Sequence, residues 1–129
     1  MASVFTKIIN GEIPSHKIAE NDKFYAFLDI SPLQKGHTLV IPKKEVDYIF
    51  DVEDDLLAEM MVFSKQIAHK IKSVIPCNRI GVTVIGLEVP HAHIHLVPIS
   101  SMADMNFANP KLSLSNEELA DIAEKIKAV

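Results

Sequence analysis

Apolar and polar positions alternate with period two from Pro90 to Pro98. Alternation of this kind predicts a strand with one face in the core. On that strand Ala92, Ile94 and Leu96 share the core face, and His91, His93 and His95 share the other. Successive side chains on one face stand about 6.5–7 Å apart. Phe24–Leu28 reads as a strand by its aromatic content. It ends at the turn Asp29-Ile30-Ser31-Pro32. Lys35-Gly36 turns the chain into a second strand, His37–Ile41, closed by Pro42. The short link between these two makes an antiparallel pair the natural expectation. Arg79–Val84 is a further strand, and Ile85–Pro90 leads from it into the histidine strand.

Two segments carry helical spacing. Leu56, Leu57, Met60, Phe63, Ile67, Ile71 and Val74 recur at three and four, which predicts an amphipathic helix. Asp51 is its expected cap, with Glu53, Asp54 and Asp55 in the first turn and Lys70 and Lys72 near the end, as the helix dipole favours. Pro76 stops it. His69 lies off the stripe and is expected in solvent, and Met60 and Met61 are expected to fill the core. Ser115 and Glu118 form a capping box ahead of Leu119, Ile122, Ala123 and Ile126, predicting a second helix. Val4–Ile9 is a short apolar opening segment, Asn10–Pro14 a turn, His16 a surface residue, and Ser100–Leu114 a loop. The order strand, strand, helix, strand, strand, helix argues an α+β fold on an antiparallel sheet.

Length and composition narrow the function. At 129 residues the chain is expected to form one domain, 1–129, with 48% hydrophobic and 23% charged residues. A net charge of −4 argues against extended nucleic acid as a partner, which needs a basic surface. A small nucleotide in a local pocket remains compatible with it. Cys77 is the one cysteine, expected as a packed loop residue, so no intrachain disulfide and no Cys-x-x-Cys metal knuckle can form. That usage suits a reducing, cytoplasmic setting. Met1–Lys7 has no apolar core of signal-peptide length, and no apolar run nears the roughly 20 residues of a membrane span.

Three of the six histidines sit on one strand face. Imidazole serves as nucleophile, proton carrier, hydrogen-bond donor to an anion, or metal ligand. Three readings follow: a solvent face that happens to carry histidines, a phosphate site, and a metal site. A metal needs ligands converging on one point. A flat strand spreads these rings, so two of them plus a distant ligand is the form a metal site would take.

The run His91-Ala92-His93-Ile94-His95-Leu96-Val97 resembles the motif of the histidine triad (HIT) family, His-φ-His-φ-His-φ-φ with φ apolar, at all seven positions. Phe5–Pro14 resembles the family's opening segment, and Ala26–Pro32 and Gly36–Lys43 resemble its next two blocks. The resemblance runs from about Phe5 to Pro98 and points to the branch of nucleoside phosphoramidases. It implies a HIT-like α+β fold with an antiparallel sheet of about five strands and two main helices, and a homodimer. It implies a hydrolase or transferase acting at the α-phosphate of nucleoside 5′-monophosphate derivatives such as adenosine phosphoramidates. By position, His93 matches the nucleophile, His91 and His95 the flanking histidines that hold the phosphate oxygens and orient the nucleophile, and His37 a further histidine near the triad. Asp29 matches the carboxylate for the ribose hydroxyls, and Phe5, Ile8, Phe27 and Ile30, with Leu28 between, match the walls around the base.

The chemistry implied is coherent. Phosphate oxygens repel an anionic nucleophile, whereas a neutral imidazole can approach and form a nucleotidyl-imidazole that water then hydrolyses. Histidine and amide donors stabilise the developing charge. The scheme requires no cofactor and no metal. This chain departs from the common family pattern just before the triad: Thr83-Val84-Ile85-Gly86-Leu87-Glu88 is shorter and lacks the Gln and the hydroxyl that relatives carry near the leaving group. Glu88, three residues before His91, is either a solvated loop residue or a carboxylate that disfavours anionic leaving groups. The alternatives are a dinucleoside polyphosphate hydrolase and a nucleotide-binding module with little turnover. A metal-dependent hydrolase is weakened by the lack of paired cysteines and of a His-Glu-x-x-His helix.

Overall fold

A computed structural model describes residues 2–129. The strands are β1 (Lys17–Glu20), β2 (Phe24–Leu28), β3 (Thr38–Pro42), β4 (Arg79–Thr83) and β5 (Ile94–Ile99). They form one antiparallel sheet in the order β1-β2-β3-β5-β4. The helices are α1 (Val4–Ile9), α2 (Asp54–Val74) and α3 (Asn116–Lys127). The α+β expectation, the five strands and the two main helices agree with this architecture.

Side-chain parity divides the sheet into two buried faces. Phe24, Ala26 and Leu28 of β2, Val40 of β3, and Ile94 and Leu96 of β5 join one cluster with Met60, Phe63, Ile67 and Ile71 of α2 and Leu119, Ala123 and Ile126 of α3. Tyr25, Phe27, Leu39 and Ile41 point the other way, where Phe5, Ile8 and Ile9 of α1 cover them. That is why all five residues of β2, and all five of β3, are buried. A sheet covered on both faces loses the polar alternation of a half-exposed one.

Several boundaries differ from expectation. The opening segment 4–9 is a helix, begun by Ser3, whose hydroxyl accepts from the Thr6 amide. Residues 17–20 form a strand whose one fully buried side chain is Ile18, too weak an alternation to read from sequence. His16, expected at the surface, is half-buried against this strand's start. Asp51 does not cap α2. It closes a 3-10 turn, Ile49–Asp51, and α2 starts after Glu53, because Val52 is buried between the two elements. Met60 fills the core, but Met61 is 48% exposed, one helical step off the stripe. His69 is exposed and Cys77 half-buried in a loop. Regular pairing of β5 starts at Ile94 rather than at Pro90. Among the described residues no helix is long and apolar enough to cross a membrane.

The Ser115 capping box is present, with the Ser115 hydroxyl accepting from the Glu118 amide and the Glu118 carboxylate accepting from the Ser115 amide. Ser115→Ala is expected to cost about 1 kcal/mol of stability. A urea-denaturation midpoint checks this, and an unchanged midpoint would mean α3 is held by Leu119, Ala123 and Ile126 alone.

Candidate active site

β5 lies between β3 and β4, and its odd-numbered residues face α1. His95 is opposite Leu39 and Thr83. A cleft of about 500 Å³ opens on this face, lined by Phe5, Asp29, Leu39, Glu88, His93 and His95, among others. The triad is not a solvent face: His91, His93 and His95 are all at most 8% exposed.

Each ring's proton can be placed from its partners. Nδ1 of His93 lies 2.8 Å from the His91 carbonyl, which can only accept, so this nitrogen carries the proton. The Nε2 lone pair of His93 is therefore bare, and no described protein group bonds it. His37 Nδ1 accepts from the Leu33 amide at 3.0 Å. Its proton then sits on Nε2 and is donated to His95 Nδ1 at 2.9 Å. His95 in turn carries its proton on Nε2. The result is a relay, Leu33 amide to His37 to His95, that fixes one donor on the cleft-lining ring. Burial, with His95 as second cause, depresses the His37 pKa from 6.5 to about 3. Burial, reinforced by His93, depresses that of His95 from 6.5 to about 4. Both rings stay neutral in the physiological range.

His91 faces away from the cleft. Its Nε2 donates to the Pro42 carbonyl at 2.7 Å and its Nδ1 accepts from the Ser3 hydroxyl at 2.8 Å. With both nitrogens used, it has none for a phosphate oxygen. It acts on the site through its backbone carbonyl. Burial lowers its pKa, against the Pro42 bond and the Glu45 charge, which raise it.

Asp29 ends β2. Its Oδ1 accepts from the Ser31 amide at 2.8 Å, closing a local turn, and Oδ2 stands 3.7 Å from His37 Nε2. Burial raises its pKa, opposed by the Ser31 bond. Asp29, His37 and His95 together offer three ligand atoms within 4.8 Å of one another. The donor set does not fit a metal. An ion would need lone pairs on both His37 Nε2 and His95 Nδ1, which would force the His37 proton onto Nδ1, head-on against the Leu33 amide.

The expected wall residues separate by position. Phe5 lines the cleft and meets His93 edge-on with ring centroids 5.0 Å apart. Phe27 stands behind it at 5.6 Å, and Ile8 packs into the same cluster. Leu28 is no wall: as an even-numbered residue of β2 it points into the core under α2. Ile30 is 69% exposed beside the cleft. Glu88 does line it.

Phe107 and Lys111 are among the cleft residues that went unread in the sequence. Phe107 stacks edge-on over His95 at 4.9 Å and lies 6.1 Å from His37. Lys111 lines the cleft 5.6 Å from the Phe107 ring, its ammonium donating to the Phe107 carbonyl at 2.7 Å. Both belong to the loop after β5, which folds back and ties the Leu112 amide to the Pro32 carbonyl at 2.8 Å. No period marks such a segment. A cluster of one aromatic and one lysine near the Pro110 turn is the only local hint.

The HIT domain family model matches residues 10–102. The chain belongs to the HIT family. It is 40% identical over 101 residues to the adenosine 5′-monophosphoramidase of Saccharomyces cerevisiae, covering 75% of this chain and 62% of that protein. It is 31% identical over 133 residues to the adenosine 5′-monophosphoramidase of Schizosaccharomyces pombe, covering 99% and 98%. A HIT-like protein from Bartonella henselae has the same fold, with a TM-score of 0.84 at 31% identity over 98% of this chain and 95% of that one.

The neutral rings make stability pH-dependent. Between the depressed pKa values and the ordinary 6.5 the unfolded chain binds protons that the folded HIT domain does not. Stability is expected to fall as pH is lowered from 6.5 toward 4, read as a falling thermal midpoint. A flat profile over that range would mean that His37 and His95 titrate normally.

Proposed function

We propose that this chain is a nucleotide hydrolase or transferase acting at the α-phosphate of nucleoside 5′-monophosphate derivatives, with adenosine phosphoramidate-like substrates cleaved at the P–N bond. The observation that carries the reading is His93: Nδ1 is anchored on the His91 carbonyl and Nε2 is left with its lone pair at the cleft. In this reading Nε2 attacks phosphorus, the P–N bond breaks, and the departing nitrogen takes up a proton from solvent water, which the hydrolytic water of the second step replaces. Water then attacks the nucleotidyl-His93 phosphorus and releases the nucleoside monophosphate. His95 donates from Nε2 to a phosphate oxygen, its proton held in place by His37. Asp29 accepts the ribose hydroxyls, and Phe5, backed by Phe27 and Ile8, forms a wall for the base. The names of the two fungal relatives support the P–N bond as the target.

Lys111 favours a second reading, hydrolysis of dinucleoside polyphosphates. Glu88 alone repels an anionic leaving group, but a lysine lining the same cleft offsets it. A panel of phosphoramidates and dinucleoside polyphosphates, with products identified, separates the two.

His93→Ala is expected to abolish turnover while nucleotide binding, followed by calorimetry, survives. Turnover retained in clean variant protein would remove His93 as nucleophile. Rapid acid quench of the wild type should trap a nucleotidyl adduct visible by mass spectrometry.

We further propose a homodimer through β4. The opposite edge, β1, carries the ion pair Lys17–Glu20, which discourages pairing. The β4 edge instead exposes Val82 at 50%, beside the exposed Tyr48, Phe50, Val84 and Leu87. Light scattering should give twice the 14.3 kDa chain mass, and Val82→Lys should shift it toward the monomer. A monomer in the unmodified protein at micromolar concentration would reject this interface.

A further inference from the structure

A second polar cluster lies behind the triad, on the side of His91 away from the cleft. Ser3 Oγ accepts from the Thr6 amide at 3.0 Å and donates to His91 Nδ1 at 2.8 Å. Glu45 reaches over from the segment after β3. Its Oε1 accepts from the Ser3 amide at 2.7 Å and from the Thr6 hydroxyl at 2.6 Å. The Thr6 hydroxyl donor, then the Ser3 amide, lower the Glu45 pKa from 4.5 to about 2, so it is an anion across the neutral range. A continuous set of hydrogen bonds thus runs from Glu45 through the first turn of α1 to the His91 ring, and from the His91 carbonyl to His93 Nδ1.

The cluster sits where the sheet gives no support. Ladder pairing of β3 with β5 begins at Ile94, so the residues from His91 to His93 precede it. Their backbone is held by the His91 amide to the Val89 carbonyl at 2.8 Å and the Ala92 amide to the Val46 carbonyl at 2.7 Å. The His91 carbonyl shares its planar peptide with the Ala92 amide, so the Val46 bond holds the tilt of that plane, and the His91 ring, pinned at both nitrogens by Pro42 and Ser3, holds the residue from its other side. Phe5, in the same turn as Ser3, presses its ring on His91 at 5.8 Å and on His93 at 5.0 Å. Moving α1 therefore disturbs both the carbonyl that holds His93 and the ring that packs against it.

We propose that Ser3 and Glu45 are positioning residues for His93: they clamp α1 onto His91, so that the His91 carbonyl keeps the His93 proton on Nδ1 and presents Nε2 to the cleft. Neither residue lines the cleft. The kinetic consequence rests on His93 being the nucleophile, whereas the tautomer does not.

The test uses Ser3→Ala, Ser3→Thr and Glu45→Gln in the full chain. Long-range ¹H–¹⁵N NMR reads the His93 tautomer, and steady-state kinetics use an adenosine 5′-phosphoramidate. The wild type should show His93 protonated on Nδ1. Ser3→Ala and Glu45→Gln should mix the two tautomers and lower kcat about tenfold, as loss of near-attack geometry does, with KM changed less than about twofold. Ser3→Thr, which keeps the hydroxyl, should restore both readouts. A His93 tautomer unchanged in Ser3→Ala and Glu45→Gln overturns the proposal whatever the activity. A wild type that turns over no phosphoramidate would overturn the proposed reaction, while a tautomer shift in the variants would still uphold the clamp.

Discussion

Parity along β5 is the constraint on which the rest of the site depends. A strand turns successive side chains to opposite faces, so Ile94 and Leu96 must enter the core under α2 and α3 while His93 and His95 go to the α1 side. A slip of one residue would bury two imidazoles among leucines and isoleucines and send the apolar pair into the cleft. Burial of Ile94 and Leu96 to 1% each contributes roughly 1.5–3 kcal/mol per side chain, which pins the register far more strongly than any hydrogen bond in the cleft. The chemistry therefore inherits its precision from packing on the far side of the sheet.

Burial creates the second constraint, which is one of counting protons. A neutral imidazole has one proton and two nitrogens, and each nitrogen that does not face the cleft needs a partner. The Leu33 amide, the Pro42 carbonyl and the His91 carbonyl each settle one ring unambiguously, because each can only donate or only accept. His95 is settled at second hand through His37. Backbone groups, not charged side chains, thus assign the tautomers. The arrangement yields one lone pair on His93 and one donor on His95 at the same cleft. Nucleophilic attack on a phosphorus with a charged oxygen beside it needs that pair of opposite capacities.

Much of this was legible in the sequence because it follows short-range rules. The α2 stripe, the Ser115 capping box, the pairing of β2 with β3 and the common face of His93 and His95 all depend on residues within a few positions of one another, whereas His91, expected on that face, turns away from the cleft. What was not legible depends on contacts across the fold. α1 is only six residues long and gains its place from Glu45 and His91. β1 buries one residue fully. The inward turn of His91 depends on Ser3, 88 positions away. Leu28 differs: the family resemblance placed it at the base, yet strand parity, which is readable from sequence, puts it opposite Phe27. There the period-two rule was the better guide.

The loop from Ser100 to Leu114 shows the same limit from the functional side. It varies without a period, yet it places Phe107 on His95 and Lys111 at the cleft. Phe107 packs against both rings of the relay and so contributes to the burial that keeps them neutral. Lys111 adds a cation to a cleft that otherwise carries the carboxylates of Asp29 and Glu88. The two sides of the cleft thus have different origins in the chain. His93, His95 and Asp29 sit on or beside paired strands of the sheet, where packing fixes them. The charged groups Glu88 and Lys111 that also line the cleft sit on loops either side of β5, where sequence can change without disturbing parity. Under the proposed reaction, the chemical step then depends on the sheet and the fit of the leaving group on the loops.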